Sequence, residues 1–230
     1  EQAWKLFLEV QEKGGFVAAV KEGFVQAEIK SMAASRDKKI AQRRENLLGT
    51  NQFPNFTEKI DAEFDASLFA PQNLAEEDAE IETIKPYRGS QPFEALRYKT
   101  DTYAKENKRP LAFMLTMGNL AFRKARAQFS CNFFAVAGFQ VNDNNGFPTV
   151  DDGVKAAKAA GADIVVLCSS DDEYAELAPK TVELLDNEIF VVAGDPACRP
   201  ELEGKGITIF IHMKSNILEE LKSYQDKLGI

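Results

Sequence analysis

The most constraining feature of this 230-residue sequence is a regular alternation of short apolar runs and helical patterns in its second half. Apolar runs that predict strands occupy residues 111–117, 133–138, 164–168, 189–192 and 207–211. Helical patterns occupy residues 119–131, 153–160, 172–185 and 216–228. Continuous apolar runs are typical of parallel strands that helices cover on both faces. The alternation therefore predicts an α/β fold with a flavodoxin-like, five-stranded, doubly wound parallel sheet.

The first zone of the sequence, residues 1–56, has the composition and spacing of helices. Trp4, Phe7 and Leu8 follow the i, i+3, i+4 rule, which predicts one apolar helix face. We interpret the basic stretch 36–44 as the solvated face of a longer helix.

A second zone, residues 57–108, has weak periodicity and contains the acidic run 76–80. Its last part, residues 92–107, predicts a short helix. Because a free linker would carry fewer Phe and Leu residues, we predict a linker that wraps over the rest of the molecule. The α/β domain is then expected at residues 109–230.

The charge balance and the histidine content exclude several classes of function. The chain has 28 Lys and Arg residues against 36 Asp and Glu residues, so its net charge is −8 and no nucleic-acid partner is expected. The single histidine, His212, excludes a His-rich zinc site and H-E-x-x-H chemistry. We predict no metal site.

The three cysteines, Cys131, Cys168 and Cys198, are odd in number and include no C-x-x-C motif. This spacing argues against a disulfide framework and fits a reducing, cytoplasmic environment. The longest apolar run is far shorter than the ~20 residues of a membrane span, so no membrane partner is expected. The chain begins at Glu1 without an initiator methionine or a signal-like segment, so we expect it to be processed or to belong to something longer.

Ligands of doubly wound sheets bind outside the carboxyl ends of the strands, so the loops at those ends are the most informative. These loops are residues 116–122, 168–172, 193–196 and 212–215. The first of them contains only Gly118 where a dinucleotide site needs G-x-G-x-x-G, and no P-loop motif occurs in the chain.

A phospho-receiver domain shares this topology and would use an acidic acceptor together with a lysine. Asp171 or Asp172 with Lys214 imitates that pair, but Thr116 and Met117 replace the acidic residues that would bind Mg²⁺. We therefore interpret Asp171 and Asp172 as helix caps and Lys214 as a loop charge.

Residues 43–55, 88–97 and 117–141 carry a resemblance to one known family, methylmalonyl-CoA mutase. Residues 43–55, RRENLLGTNQFPN, resemble the segment that closes the barrel half of the family's subunits. Residues 88–97, RGSQPFEALR, resemble the stretch leading into the family's cobalamin-binding-type domain, and residues 117–141 match the first βαβ unit of that domain. The resemblance covers essentially the whole chain and, within the family, points to the C-terminal portion of small (beta), non-catalytic subunits of heterodimeric bacterial enzymes.

The resemblance implies a place in an isomerase that interconverts methylmalonyl-CoA and succinyl-CoA by adenosylcobalamin radical chemistry, in propionate metabolism. It also implies that residues 1–56 are the last helices and strand of a TIM barrel, which needs about 250 residues when complete. A catalytic large subunit, the partner in a heterodimer, would hold both the cofactor and the substrate. Because the apolar face around Trp4 would lack the rest of its barrel, we expect the isolated fragment to self-associate.

The family's catalytic chains carry D-x-H-x-x-G after the first strand, and the histidine of this motif ligates cobalt. In register, this sequence has Leu120 for the aspartate, Phe122 for the histidine and Ala125 for the glycine. A phenyl ring offers no lone pair, and a leucine cannot accept the hydrogen bond that orients a ligating imidazole. The resemblance therefore implies a non-catalytic chain with a structural or assembly role and no bound cofactor, in which Leu120 and Phe122 fill the tunnel for the cofactor tail.

The alternative function is a weak corrinoid-binding or nucleotide-binding module that uses the residual cleft. Gly118, Ser169, Ser170 and Gly194 motivate it, because they keep small or hydroxyl side chains at the strand ends.

His212 follows the fifth strand and cannot replace a ligand that belongs after the first strand. Two interpretations of this residue stay open at this point. It is either an ordinary loop histidine or a contact for a small bound molecule.

Overall fold

The computed structural model describes residues 1–59, 67, 80–84, 86 and 88–230. Its helices are α1 (Gln2–Glu12), α2 (Phe16–Lys21), α3 (Phe24–Ala41), α4 (Gln91–Tyr103), α5 (Leu120–Val136), α6 (Val150–Ala160), α7 (Tyr174–Leu184), α8 (Arg199–Gly204) and α9 (Ile217–Leu228). Its strands are β1 (Leu111–Thr116), β2 (Gln140–Asn142), β3 (Ile164–Cys168), β4 (Ile189–Ala193) and β5 (Phe210–Ile211). No helix in the described part of the chain combines the length and the apolar composition that a membrane span requires.

The five strands form one parallel sheet in the order β2-β1-β3-β4-β5, which confirms the predicted flavodoxin-like fold. Alternate residues of β1 enter two different cores, one on each face of the sheet. Met114 packs in the core that contains Leu221 of α9, and Leu115 packs in the core that contains Val154 of α6. Burial on both faces explains why the central strands read as continuous apolar runs.

The predicted second strand, residues 133–138, is wrong. Residues 133–136 are the last turn of α5, and β2 begins only at Gln140. Phe133, Phe134 and Val136 are buried, so the end of this helix is apolar on several sides. Periodicity alone cannot distinguish a short apolar run of this kind from a buried strand.

Capping hydrogen bonds confirm two of the predicted helix starts. Asn119 Oδ1 accepts from Ala121 N at 3.0 Å at the start of α5. Asn216 Oδ1 accepts from Glu219 N at 3.3 Å at the start of α9. The six-residue α8 is not predicted by the sequence pattern, because Pro200 in such a short element reads as a turn signal.

The amino-terminal residues 1–59 contain α1, α2 and α3, and the extended pairing within this segment is an isolated bridge between Leu48 and Gln52. α1 buries none of its residues, and the Trp4 side chain is 63% exposed. The predicted apolar face is therefore present, and the described part of the chain does not cover it. The origin of this segment in a barrel stays a prediction.

Arg43 is an exception within the basic stretch, most of which is exposed as predicted. Its backbone has a φ of 55° two residues after α3 ends. Its guanidinium lies 4.7 Å from the centroid of the Phe129 ring of α5. This cation–π contact joins the amino-terminal helices to the α/β domain.

Asn51 is the buried polar residue that fixes the loop after α3. Its Nδ2 donates to the carbonyls of Ile40 at 2.8 Å and Glu45 at 2.9 Å, and its Oδ1 accepts from Leu47 N at 2.8 Å. Ile40, held in this way, packs in the same core as Phe93 of α4. The LLGTNQFPN part of the sequence thus acts as a joint between α3 and the sheet domain.

The linker predicted over residues 57–108 is described only in part, and the acidic run 76–80 lies outside the described residues apart from Glu80. The short helix predicted at its end is confirmed as α4. Arg97 Nη2, on α4, donates to the carbonyls of Asn55 and Glu58, both at 2.7 Å. The wrapping role of the remaining linker stays a prediction.

Candidate functional site

The crevice between the carboxyl ends of β1 and β3 is the candidate functional site. β2 and β3 lie on opposite sides of β1, so the strand order reverses here, and ligands of doubly wound sheets bind at such a reversal. The structure brings three of the predicted residues together at this crevice: Gly118, Ser169 and Ser170. Gly194 lies at the end of β4 instead.

The carboxylate of Glu173, a residue that the sequence pattern did not identify, occupies this crevice. The hydroxyl of Ser169 donates to Oε2, and the hydroxyl and backbone N–H of Ser170 donate to the same atom at 2.7 and 3.2 Å. From the β1 side, Gly118 lies so close to this carboxylate that a Cβ atom on it would overlap the carboxylate. These hydrogen bonds, led by the one from Ser169, hold the pKa of Glu173 below its ordinary value because they stabilise the ionised carboxylate.

Asp171 and Asp172 do not cap α7, contrary to the prediction. The residue directly before α7 is Glu173, which makes no side-chain capping hydrogen bond to the helix. Its carboxylate accepts from the Ser170 N–H, which is the contact that the glutamate of an S-x-x-E pattern makes. Asp171 pairs with Arg126 instead. The S-x-x-E pattern is the sequence signal that could have identified Glu173.

An ion pair covers Gly194, the fourth residue of the predicted residual cleft. Arg126 Nη2 of α5 lies 2.8 Å from Asp171 Oδ1 across the carboxyl edge of the sheet. A Cβ atom on Gly194 would lie 3.3 Å from both Arg126 Cζ and Asp171 Oδ1. Charged side chains of the chain itself therefore contact or cover every residue of the residual cleft.

The residues that the family resemblance places in register with a cobalt-ligating motif lie in the first two turns of α5 and face solvent. Leu120 is 60% exposed and Phe122 is 55% exposed, and Ala125 is also exposed. The expectation that Leu120 and Phe122 fill a tunnel is wrong. The first buried residue of α5 is Ala127, so the preceding turns extend beyond the packed part of the sheet.

His212 lies outside the crevice. β3 and β4 separate β5 from β1, which places the two strands about 14 Å apart at the usual strand spacing. His212 Nδ1 accepts from Lys214 N at 3.2 Å, and its backbone N donates to Ser215 Oγ at 3.0 Å. Partial burial lowers the pKa of His212. These contacts favour the interpretation of a loop histidine that closes a turn, and Lys214 is exposed beside it.

The cysteine thiols are free, and two of them are buried. Burial raises the pKa of Cys131 to about 12 and raises the pKa of Cys168 still further. Both thiols are therefore protonated near neutral pH, where a nucleophile or a metal ligand would need the thiolate. Cys198 is half-buried, and its pKa is also raised by burial.

Comparison with known proteins gives a consistent result along the whole chain. A family model described as methylmalonyl-CoA mutase matches residues 1–121. The methylmalonyl-CoA mutase small subunit of Porphyromonas gingivalis is 50% identical over 231 aligned residues, which cover 100% of this chain and 37% of that protein. The small subunits of Streptomyces virginiae and of Propionibacterium freudenreichii subsp. shermanii are 30% and 26% identical and are covered over 35% of their lengths. The chain thus spans about a third of the length of these relatives.

Proposed function

The chain belongs to the methylmalonyl-CoA mutase family, and from this premise we propose that it is part of a small, non-catalytic mutase subunit with a structural role in assembly. The 50% identity to the small subunit of Porphyromonas gingivalis, extending over the whole chain, supports the assignment to this subunit type. The reaction proposed for the complete enzyme is the isomerisation of methylmalonyl-CoA to succinyl-CoA in propionate metabolism.

The residues at the carboxyl edge do not fit adenosylcobalamin, the cofactor that the family resemblance implies. Phe122 stands where the resemblance expects the cobalt-ligating imidazole, and its phenyl ring has no lone pair for a metal. Glu173 already accepts the hydrogen bonds that Ser169 and Ser170 could offer to a ligand. We therefore propose that a catalytic large subunit holds the cofactor and the substrate and that this chain contributes no catalytic residue.

The exposed apolar face of α1 supports a role in assembly. Trp4 is 63% exposed, Phe7 is 50% exposed and Leu8 is 43% exposed. Contiguous exposed apolar side chains are typical of surfaces that another protein segment covers. The free thiols support a reducing compartment, and we propose the cytoplasm.

The single observation that carries this proposal is a phenylalanine, Phe122, where the resemblance expects the ligating histidine, in a chain that is similar to a small subunit over its whole length. Its test is capture of the cognate large subunit by the complete small subunit, with and without residues 1–230 of this chain. We expect capture to need this segment. Equal capture without it would contradict the assembly role.

A second function, weak binding of a corrinoid or nucleotide in the residual cleft, is favoured by the proximity of Gly118, Ser169 and Ser170. Calorimetric titration with base-off cobalamin and with adenine nucleotides tests it directly. Heat of binding at millimolar ligand would support this function, and titrations that match the buffer control would remove it.

A further inference from the structure

Strand β5 forms one edge of the sheet, and no strand of the described chain pairs with its outer side. The carbonyls of Ile209 and Ile211 accept hydrogen bonds from β4 and from the residue after it, at 3.0 and 2.9 Å. Successive residues of a strand direct their peptide groups to opposite sides, so the N–H and the carbonyl of Phe210 point away from β4. The edge therefore presents a peptide donor and a peptide acceptor that the sheet leaves unpaired.

A cleft of about 270 Å³ lies along this edge, between β5 and helix α9. One wall is formed by the strand residues 208–210. The other wall is the side of α9 that carries Glu220, Ser223, Tyr224 and Lys227. The helix rises about 10 Å from Glu220 to Lys227, which equals the length of about three residues of extended chain. The cleft therefore has the dimensions of a slot for a short extended peptide between a strand edge and a helix.

Tyr224 lines this cleft with a buried side chain whose hydroxyl has no hydrogen-bond partner among the described residues. The residue is 3% exposed. A buried hydroxyl without a partner costs free energy, because it has lost its hydrogen bonds to water. Burial raises the pKa of Tyr224, so the hydroxyl keeps its proton and can donate. A ligand with a carbonyl group would supply the missing partner.

The charges around the cleft favour a ligand that carries a carboxylate. Arg199, at the strand side, already pairs with two carboxylates of the chain. Lys227 forms no ion pair within the described part of the chain, and its Nζ lies 5.9 Å from the centroid of the Tyr224 ring. Burial raises the pKa of Glu220 at the other end of the wall, which disfavours a negative charge there. The unmatched charge of the cleft is therefore the positive charge of Lys227.

We propose that the edge of β5 is a docking site for an extended, acidic peptide segment of a partner protein, which adds to the sheet as a sixth strand. The backbone of the peptide pairs with the N–H and the carbonyl of Phe210. One peptide carbonyl accepts from the Tyr224 hydroxyl, and a peptide carboxylate reaches Lys227. Backbone pairing provides the affinity, and the contact with Lys227 selects acidic segments. This inference goes beyond the proposed function, and it can fail while capture of the large subunit succeeds, or the reverse.

The test is an NMR titration of the isotope-labelled chain with the peptide acetyl-Thr-Val-Thr-Val-Glu-amide. We expect saturable changes at the backbone amides of Phe210 and Lys227. The same peptide with Gln in place of Glu should bind about threefold more weakly, because it lacks the charge that pairs with Lys227. A peptide with N-methylated Val residues should not bind, because it cannot pair along the strand edge. The inference is overturned if millimolar acetyl-Thr-Val-Thr-Val-Glu-amide causes no saturable change at these amides.

Lys227→Gln tests the selection of acidic segments. We expect this variant to bind the Glu and Gln peptides with equal affinity. The matched control is Lys222→Gln, which removes an exposed lysine of the same helix that pairs with Glu219 outside the cleft. This control should keep the preference for the Glu peptide. If Lys227→Gln also keeps that preference, the assigned contact is wrong.

Tyr224→Phe distinguishes a contact with the peptide from a structural role of the hydroxyl. Because the hydroxyl has no partner in the free chain, its removal should leave the urea midpoint of unfolding unchanged or raise it. The same variant should bind the Glu peptide about two- to tenfold more weakly, because one hydrogen bond is lost. A lower urea midpoint together with unchanged peptide affinity would overturn the inference.

Discussion

Helices α1 and α9 lie at opposite ends of the sequence and have the same kind of amphipathic pattern, yet they have opposite environments. In α9, Ile217, Leu221 and Tyr224 are buried in the core against the sheet. In α1, no residue is buried, and Trp4 stacks on Phe7 with ring centroids 5.3 Å apart on an exposed face. An amphipathic pattern therefore predicts that a helix has an apolar face, and it does not predict which part of the molecule covers that face.

The largest expected effect comes from shortening one apolar side chain in each helix. Leu221→Ala should lower the free energy of unfolding by about 2–5 kcal/mol, because Leu221 is fully buried and its removal leaves a cavity. Leu8→Ala should change it by less than about 0.5 kcal/mol, because Leu8 is already exposed to water. Urea denaturation of the two variants measures both values. Equal losses of stability would show that α1 is packed as tightly as α9.

The next effect concerns the joint between the amino-terminal helices and the sheet domain. Asn51→Ala should lower the free energy of unfolding by about 2–3 kcal/mol, because it leaves the N–H of Leu47 and the carbonyl of Glu45 without this partner and removes one of the two donors to the Ile40 carbonyl. Asn55→Ala is the control, since among the described residues this exposed side chain accepts only from Thr57. If both variants unfold at the same urea concentration, the joint does not depend on Asn51.

A smaller effect on stability is expected at the crevice, and this effect depends on pH. The pKa of Glu173 is lowered in the folded chain, so its stabilising contribution is complete above the ordinary value of 4.5 and is lost as the pH falls through the lower, folded pKa. Glu173→Gln should therefore lose less stability than the unaltered chain when the pH falls below 4.5. Denaturation midpoints measured across this range provide the test. Parallel curves of denaturation midpoint against pH for the two proteins would contradict the claim that hydrogen bonds stabilise the ionised Glu173 carboxylate.

The smallest effect on stability, but a clear one on association, is expected from the exposed face of α1. The chain should self-associate through this face, and Trp4→Lys should weaken the association while leaving the unfolding free energy within about 0.5 kcal/mol. Gln2→Lys adds the same charge on the same helix away from the aromatic pair and serves as the control. Sedimentation equilibrium over a range of concentrations measures the association. A monomer at every concentration of the unaltered chain would contradict the expectation.

The sequence predicted the fold well where one pattern had one structural meaning. β3 was predicted at residues 164–168 and lies at Ile164–Cys168, because a five-residue apolar run between turn signals fits a buried strand. Residues 133–136 were assigned to the wrong element because a buried helix end and a buried strand share the same apolar composition.

The candidate site was predicted only in part for a different physical reason. Gly118, Ser169 and Ser170 follow from the rule that ligands bind at strand ends. Glu173 lies between these residues because the loops after β1 and β3 approach each other closely in space. The spacing of residues along the chain carries no information about that distance. The exposure of Phe122 likewise depends on how far α5 extends beyond the sheet.

The visible absorption spectrum of adenosylcobalamin mixed with this chain tests the central claim, a cobalamin-type domain that does not ligate cobalt, most directly. Because Phe122 stands where the resemblance expects the ligand, and Glu173 lies in the crevice, we predict that the spectrum of the free, base-on cofactor stays unchanged at all protein concentrations. A shift to the base-off form with histidine bound to cobalt would contradict the account.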